Sequence, residues 1–385
     1  MHRRSWPLAV LLSLLVQAGC SPSRSLEALF VLEDVAAGAE ASRLKAKTPA
    51  PVRRTVDYTF EGHADIADVY RPGGGVAAKA VVVLVPGVVR LGKNDPRLVA
   101  FANTLARARF LVFVPDLANL RRLSIGSEDA GALARAIRYA VERSGVGERS
   151  SVGVVAFSYA AGPALLAAMS EEARHHVRFV YAVGAYYNLD MVVAYLTTGH
   201  HRQDAASPWV RSEPSPYALW VFIRSCAARL ENEDDRLALT AAADAKLADP
   251  DADISDAMAR LGPEGRAVIA LIGNSDPMKA ADLIAGLPAP VLAELRALDL
   301  AARDLAALEA RVILIHGRDD RLIPYTESAA LAAAIPGGRA SLSIIGSLEH
   351  VDLQLSNIGD AISLWLAIGS LLEERDRMPR PSWSE

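Results

Sequence analysis

Residues 151–160 read SVGVVAFSYA, an apolar, β-branched run that ends on Ser158, with an alanine two positions to either side, Ala156 and Ala160. Residues 163–169, PALLAAM, then open with proline and continue in good helix formers. A strand that runs into a serine and turns at once into a helix lifts the hydroxyl above the sheet edge. It also sets that hydroxyl at a helix N-terminus, where the dipole favours developing negative charge. Small residues are needed on both sides because the two backbones crowd at such a turn. Glycine is the usual choice, and a methyl group is the least intrusive replacement.

Around this centre the text alternates. Val56–Tyr70 reads as a pair of strands and residues 72–75 (PGGG) as a turn. The runs Ala80–Val85, Phe110–Val114, Arg178–Val183, Arg311–Ile315 and Ala340–Ile345 read as further strands, several of them apolar throughout, as strands buried on both faces should be. Pro96–Ala108, Ser127–Ser144 and Asn357–Glu373 carry helical periodicity. Strands alternating with helices imply an α/β fold, a mostly parallel sheet flanked by helices. The interval 189–308 breaks the rhythm. It is Ala-rich and helical, and it reads as a helical cap inserted between the sixth and seventh strands. Its most apolar run, Leu219–Ile223 (LWVFI), is expected in the cap's core or lining a pocket beneath it. The core then divides into 52–188 and 309–376, with a tail at 377–385.

Three further motifs stand at sheet-end positions. Val85-Pro86-Gly87-Val88-Val89 follows the strand at 80–85. His316-Gly317-Arg318-Asp319-Asp320-Arg321-Leu322-Ile323-Pro324 follows the strand at 311–315. Ser347-Leu348-Glu349-His350 follows the last strand. A serine hydroxyl is a poor nucleophile until an imidazole takes its proton, and the imidazole needs a carboxylate to fix its tautomer.

Together these motifs resemble the α/β-hydrolase superfamily, from about Val56 to the final helix. The segment at 156–160 is similar to its GxSxG elbow with alanine at both glycine positions. Residues 316–324 closely resemble its HGxxDxxVP motif. The resemblance implies an α/β-hydrolase fold with Ser158 as nucleophile, Asp320 as acid and His350 as base, in the chain order Ser, Asp, His. It implies an oxyanion hole from the backbone N–H groups of Val88 and Tyr159. Asp319 is then a turn residue, and Glu349 a weaker candidate for the acid, because adjacent side chains seldom orient one another. His316 belongs to the strand end and has no catalytic role. Among subfamilies, the chain is similar to dienelactone hydrolase-like and carboxylesterase-like proteins. The activity implied is ester cleavage through an acyl-enzyme, with a small-molecule ester or acyl substrate. Acyl transfer, amide or peptide cleavage, or a lapsed binding protein would use the same frame.

The N-terminus has the form of an export signal: His2, Arg3 and Arg4, an apolar run at 6–16, then Ala18-Gly19-Cys20. The last three residues resemble a bacterial lipobox, with Gln17 where an aliphatic residue is usual. This implies a signal over 1–19, lipidation of Cys20, a tether over 20–51 and a place at the bacterial cell envelope. A periplasmic or secreted protein is the alternative. Cys226, the other of the 2 cysteines, is expected as a buried thiol. A net charge of −4 with no basic face gives no footprint for nucleic acid. No Gly-rich nucleotide loop or zinc-ligand spacing occurs, so no cofactor or metal is expected. Nothing in the sequence fixes the oligomeric state.

Overall fold

A computed structural model describes residues 21–144, 151–346, 348–349, 352–353 and 358–381. Cys20, Ser347 and His350 lie outside these residues. The strands are β1 (Val52–Phe60), β2 (His63–Arg71), β3 (Ala80–Val85), β4 (Phe110–Pro115), β5 (Val152–Phe157), β6 (Val177–Val183), β7 (Arg311–Gly317) and β8 (Ala340–Ile345). They form one eight-stranded sheet in the order β1-β2-β4-β3-β5-β6-β7-β8. β2 is antiparallel to β1 and to β4, and every other pairing is parallel. This is the α/β-hydrolase fold expected from the sequence.

Helices cover both faces, so the central strands are buried on both sides. β3 and β4 are buried at every residue, as their unbroken apolar runs require. On one face lie α1 (Pro22–Ala37), α2 (Pro96–Arg107) and the long C-terminal helix Ile358–Arg377. On the other lie α3 (Glu128–Arg143), α4 (Ala161–Met169) and much of the cap.

The cap is helical, as expected. It includes α5 (Leu189–Thr198), α6 (Pro216–Ala227), α7 (Glu233–Ala248), α8 (Pro263–Ile272) and α9 (Ala289–Leu298). It also holds a two-residue antiparallel ladder, His200–His201 with Val210–Arg211, which the sequence reading lacked. Gly199, with φ +73°, ends α5 in the left-handed region and turns the chain into this ladder. After β7 the chain forms α10 (Tyr325–Ala334), and the C-terminal helix is α11.

The stretch read as a tether contains more tertiary structure than that reading supposed. Within it, α1 is docked against α11 and α2, with Ala28, Val31 and Leu32 in the core. Arg375 of α11, fully buried, pairs with Glu27 and donates to the Ala108 carbonyl at 2.7 Å. Trp365 Nε1 donates to the Ser25 carbonyl at 2.8 Å. Buried Asp34 accepts from Thr104 at 2.7 Å, from Lys45 at 2.7 Å and from Ser42. These donors hold its carboxyl below the usual range against the opposing effect of burial, so α1 carries no unpaired charge into the core.

Candidate active site

The strand order reverses between β3 and β5: from β3 the chain moves outward to β4, then returns to the other side of β3. In open α/β sheets the crevice at the carboxyl ends of the strands at such a reversal is where ligands bind. Pro86–Val89 leave β3 there and Ser158 leaves β5 there, so the fold brings two of the sequence motifs together.

Ser158 has φ +58°, in the left-handed region that non-glycine residues seldom occupy. That conformation costs on the order of 1–2 kcal/mol. Here it is the corner between β5 and the 3₁₀ turn Ser158–Ala160 that leads into α4. Ala156 and Ala160 are both buried, so the corner accommodates methyl groups where glycines are usual. Gly87 packs against the serine. A Cβ there would lie 3.3 Å from the Ser158 Cβ and 3.9 Å from its Oγ. A bare Cα at Gly87 keeps that space open.

The chain around Val88 and Tyr159 is held by specific bonds. Tyr217 of α6 donates to the Val88 carbonyl at 2.8 Å, linking the cap to the turn after β3. The Tyr159 hydroxyl lies 3.1 Å from both Asp129 and the Gly126 main chain. Burial pushes the Asp129 carboxyl up to about 6, against the opposing hydrogen bonds from Tyr159 and Asn119. At the second residue of α4, Gly162 takes the edge of Tyr186. A Cβ at Gly162 would fall 2.0 Å from the Tyr186 hydroxyl, which itself donates to Leu298 of α9 at 2.9 Å.

After β7 the two neighbouring aspartates part. Asp319 is exposed and Asp320 is buried. Asp320 Oδ1 accepts from the N–H groups of Leu322 and Ile323 at 2.8 and 3.1 Å, which fixes the carboxylate's plane. His316, also buried, sits beside it, its Nε2 3.3 Å from Asp320 Oδ2. Both His316 ring nitrogens are engaged within the scaffold, Nε2 with the Ile323 carbonyl at 2.8 Å and Nδ1 with the Ser328 hydroxyl at 2.7 Å. Cys226 is buried on α6 and burial raises its thiol strongly, so it stays protonated.

A cavity of about 770 Å³ opens at Ser158. Its lining is overwhelmingly apolar and comes from both sides of the sheet. Under the cap it is walled by Val192, Val193, Ala218, Val221 and Phe222. The LWVFI run thus divides: Val221 and Phe222 face the cavity while Ile223 packs in the core. On the other side the walls are Val31 and Val35 of α1, Phe101 of α2, and Leu364 and Ile368 of α11. The sequence reading missed this second chamber and the roles of Gly87, Gly162 and Tyr217. The stretch Leu26–Ala39 (LEALFVLEDVAAGA), an amphipathic helical pattern within the tether, is the chamber's one visible trace in the sequence.

No family model matches the chain, and no curated protein sequence does. Solved structures do. A putative hydrolase from Legionella pneumophila superposes with a TM-score of 0.50 at 12% identity, over 86% of this chain and 91% of its own. Brefeldin A esterase, a bacterial homologue of human hormone-sensitive lipase, gives 0.49 at 14% identity over 95% and 93%. Acylaminoacyl peptidase from Pyrococcus horikoshii gives 0.45 at 11% identity over 89% of this chain, which spans only 44% of that protein's length. At these identities the likeness is one of fold.

Proposed function

We propose that this protein is a serine hydrolase that cleaves carboxylic esters through an acyl-enzyme. The observation that carries the reading is the left-handed corner at Ser158, beside Gly87 and lining an apolar cavity. A strained serine at a ligand crevice is a costly arrangement for a residue with no chemical task. In this reading Ser158 Oγ attacks the ester carbonyl carbon while His350 takes its proton. Asp320 holds the imidazole and stabilises its charged form. The N–H groups of Val88 and Tyr159 hold the oxyanion, each contribution being on the order of 10²–10³ in rate. The carbon–oxygen bond to the alcohol then breaks, and the alcohol leaves with the proton from His350. Water repeats the sequence on the acyl-enzyme, releasing the acid and restoring the serine. Lipidation at Cys20 and a place at the cell envelope belong to the same proposal, on the strength of the Ala18-Gly19-Cys20 sequence.

A fluorophosphonate probe tests the nucleophile. The wild-type protein should label, and Ser158→Ala should not. Equal labelling of the two, or none of a folded wild type, would sink the assignment. Cys20→Ser should release the protein from membranes, and unchanged association would refute the anchor.

A further inference from the structure

We infer that the chamber between α1, α2 and α11 takes the hydrocarbon chain of the substrate, so that the ester cleaved at Ser158 is a long-chain acyl ester. The inference rests on the serine-hydrolase reading and names its substrate class.

Three observations carry it. First, the walls contributed by α1, α2 and α11 are mainly apolar, through Val31, Val35, Phe101, Leu364 and Ile368, while the polar Thr104 and Arg97 of α2 are engaged with Asp34 and Asp95 respectively. Asp34, which also borders the cavity, is committed to Lys45, Thr104 and Ser42, so it offers no free charge to a polar ligand. A chamber with this lining favours hydrocarbon and rejects polar groups. Second, the chamber is continuous with the space at Ser158, Gly87 and Val88, all of which line the same cavity. A chain lying in it can therefore end at the reacting carbonyl. Third, the wall is fixed. Arg375 with Glu27, and Trp365 with Ser25, hold α1 to α11. The total of about 770 Å³ falls within the roughly 300–1,000 Å³ of small-molecule sites, large for a short acyl group alone.

The test fills one chamber at a time. Val35 and Ala218 are both only partly buried and line the cavity from α1 and from the cap respectively, so a larger side chain at either has room to be tolerated. Val35→Trp, with Val35→Phe as a milder filling, and Ala218→Trp are compared with wild type on p-nitrophenyl esters from acetate to palmitate. Binding of cis-parinaric acid, read by its fluorescence, is measured in parallel on Ser158→Ala with and without each filling substitution. Wild type should prefer the long esters. In the Val35 variants the ratio of kcat/KM on palmitate to that on acetate should fall on the order of tenfold, as expected for expelling about two methylenes. Parinaric acid affinity should fall by a similar factor. Equal long-chain turnover and fatty-acid binding in wild type and both Val35 variants would overturn the inference, as would a loss confined to Ala218→Trp. Failure of the hydrolase reading looks different: no labelling of Ser158 and no turnover of any ester, whatever the fatty-acid binding.

Discussion

Glu327 couples the second half of the sheet to the root of the cap, and its carboxyl makes that coupling depend on pH. It is 2% exposed near the start of α10, and its Oε2 accepts from the N–H groups of Tyr187 and Asn188 at 2.9 and 2.7 Å. Burial raises its pKa from 4.5 to about 7, and the nearby charge of Asp299 adds to the rise while the two N–H groups oppose it. A folded-state value above the unfolded one means that the protein binds this proton more tightly when folded. The stability so gained is complete below pH 4.5 and is lost as pH rises through 7. At about 1.4 kcal/mol per unit the loss is about 3 kcal/mol. Glu327→Gln keeps an oxygen for the two N–H groups and cannot ionise. Urea unfolding of both proteins between pH 4.5 and 8 provides the measurement. The wild type should lose about 3 kcal/mol relative to the variant across that range. Asp129 contributes a slope of the same sign, but it is common to both proteins and cancels in the difference. A difference between the two proteins that stays constant with pH would refute the reasoning.

Gly162→Ala should destabilise by about 1–3 kcal/mol from overpacking against Tyr186, read as a lower urea midpoint; an unchanged midpoint would mean that Tyr186 does not occupy that space. Asp320→Asn should lower ester turnover on the order of 10³–10⁶-fold with the fold intact, whereas Asp319→Asn should leave it near wild type; the reverse pattern would move the acid to the exposed residue. Glu27→Ala strips buried Arg375 of its bidentate partner and should cost about 1–3 kcal/mol in urea unfolding, and Arg375→Met, which removes the charge as well, should cost less.

The sheet was legible because its strands are buried on both faces, and burial writes itself as unbroken apolar runs such as Ala80–Val85. The cap was legible as an interruption of that rhythm. Its two-residue ladder was not, since two residues carry no periodicity. Motif order and sheet topology together bring Ser158 and Gly87-Val88 to one crevice, and Asp320, which the spacing of residues 316–324 already sets apart from Asp319, parts from it in the structure by burial. The docking of α1 was hidden for a different reason. Its amphipathic pattern declares an apolar face but not a partner, and the contact Ser25–Trp365 joins residues 340 apart. The second chamber is less legible still. It is the gap left between three helices from distant parts of the chain, and a gap has no residues of its own.

The position of the cap in the chain has a consequence for synthesis. In the finished sheet β6 is hydrogen-bonded to β7 from Phe179 to Val183. The ribosome delivers β7 only after the whole of 189–308 has been made. At about 5–20 residues per second that interval is on the order of ten seconds. Throughout it, the strand that will lie near the middle of the sheet has one edge unpaired and two apolar faces to cover. Such an edge is a template for wrong partners. The insertion that walls the cavity at Ser158 therefore also sets how long the nascent chain must be kept from aggregating, and the burden falls on whatever attends it until Arg311 emerges.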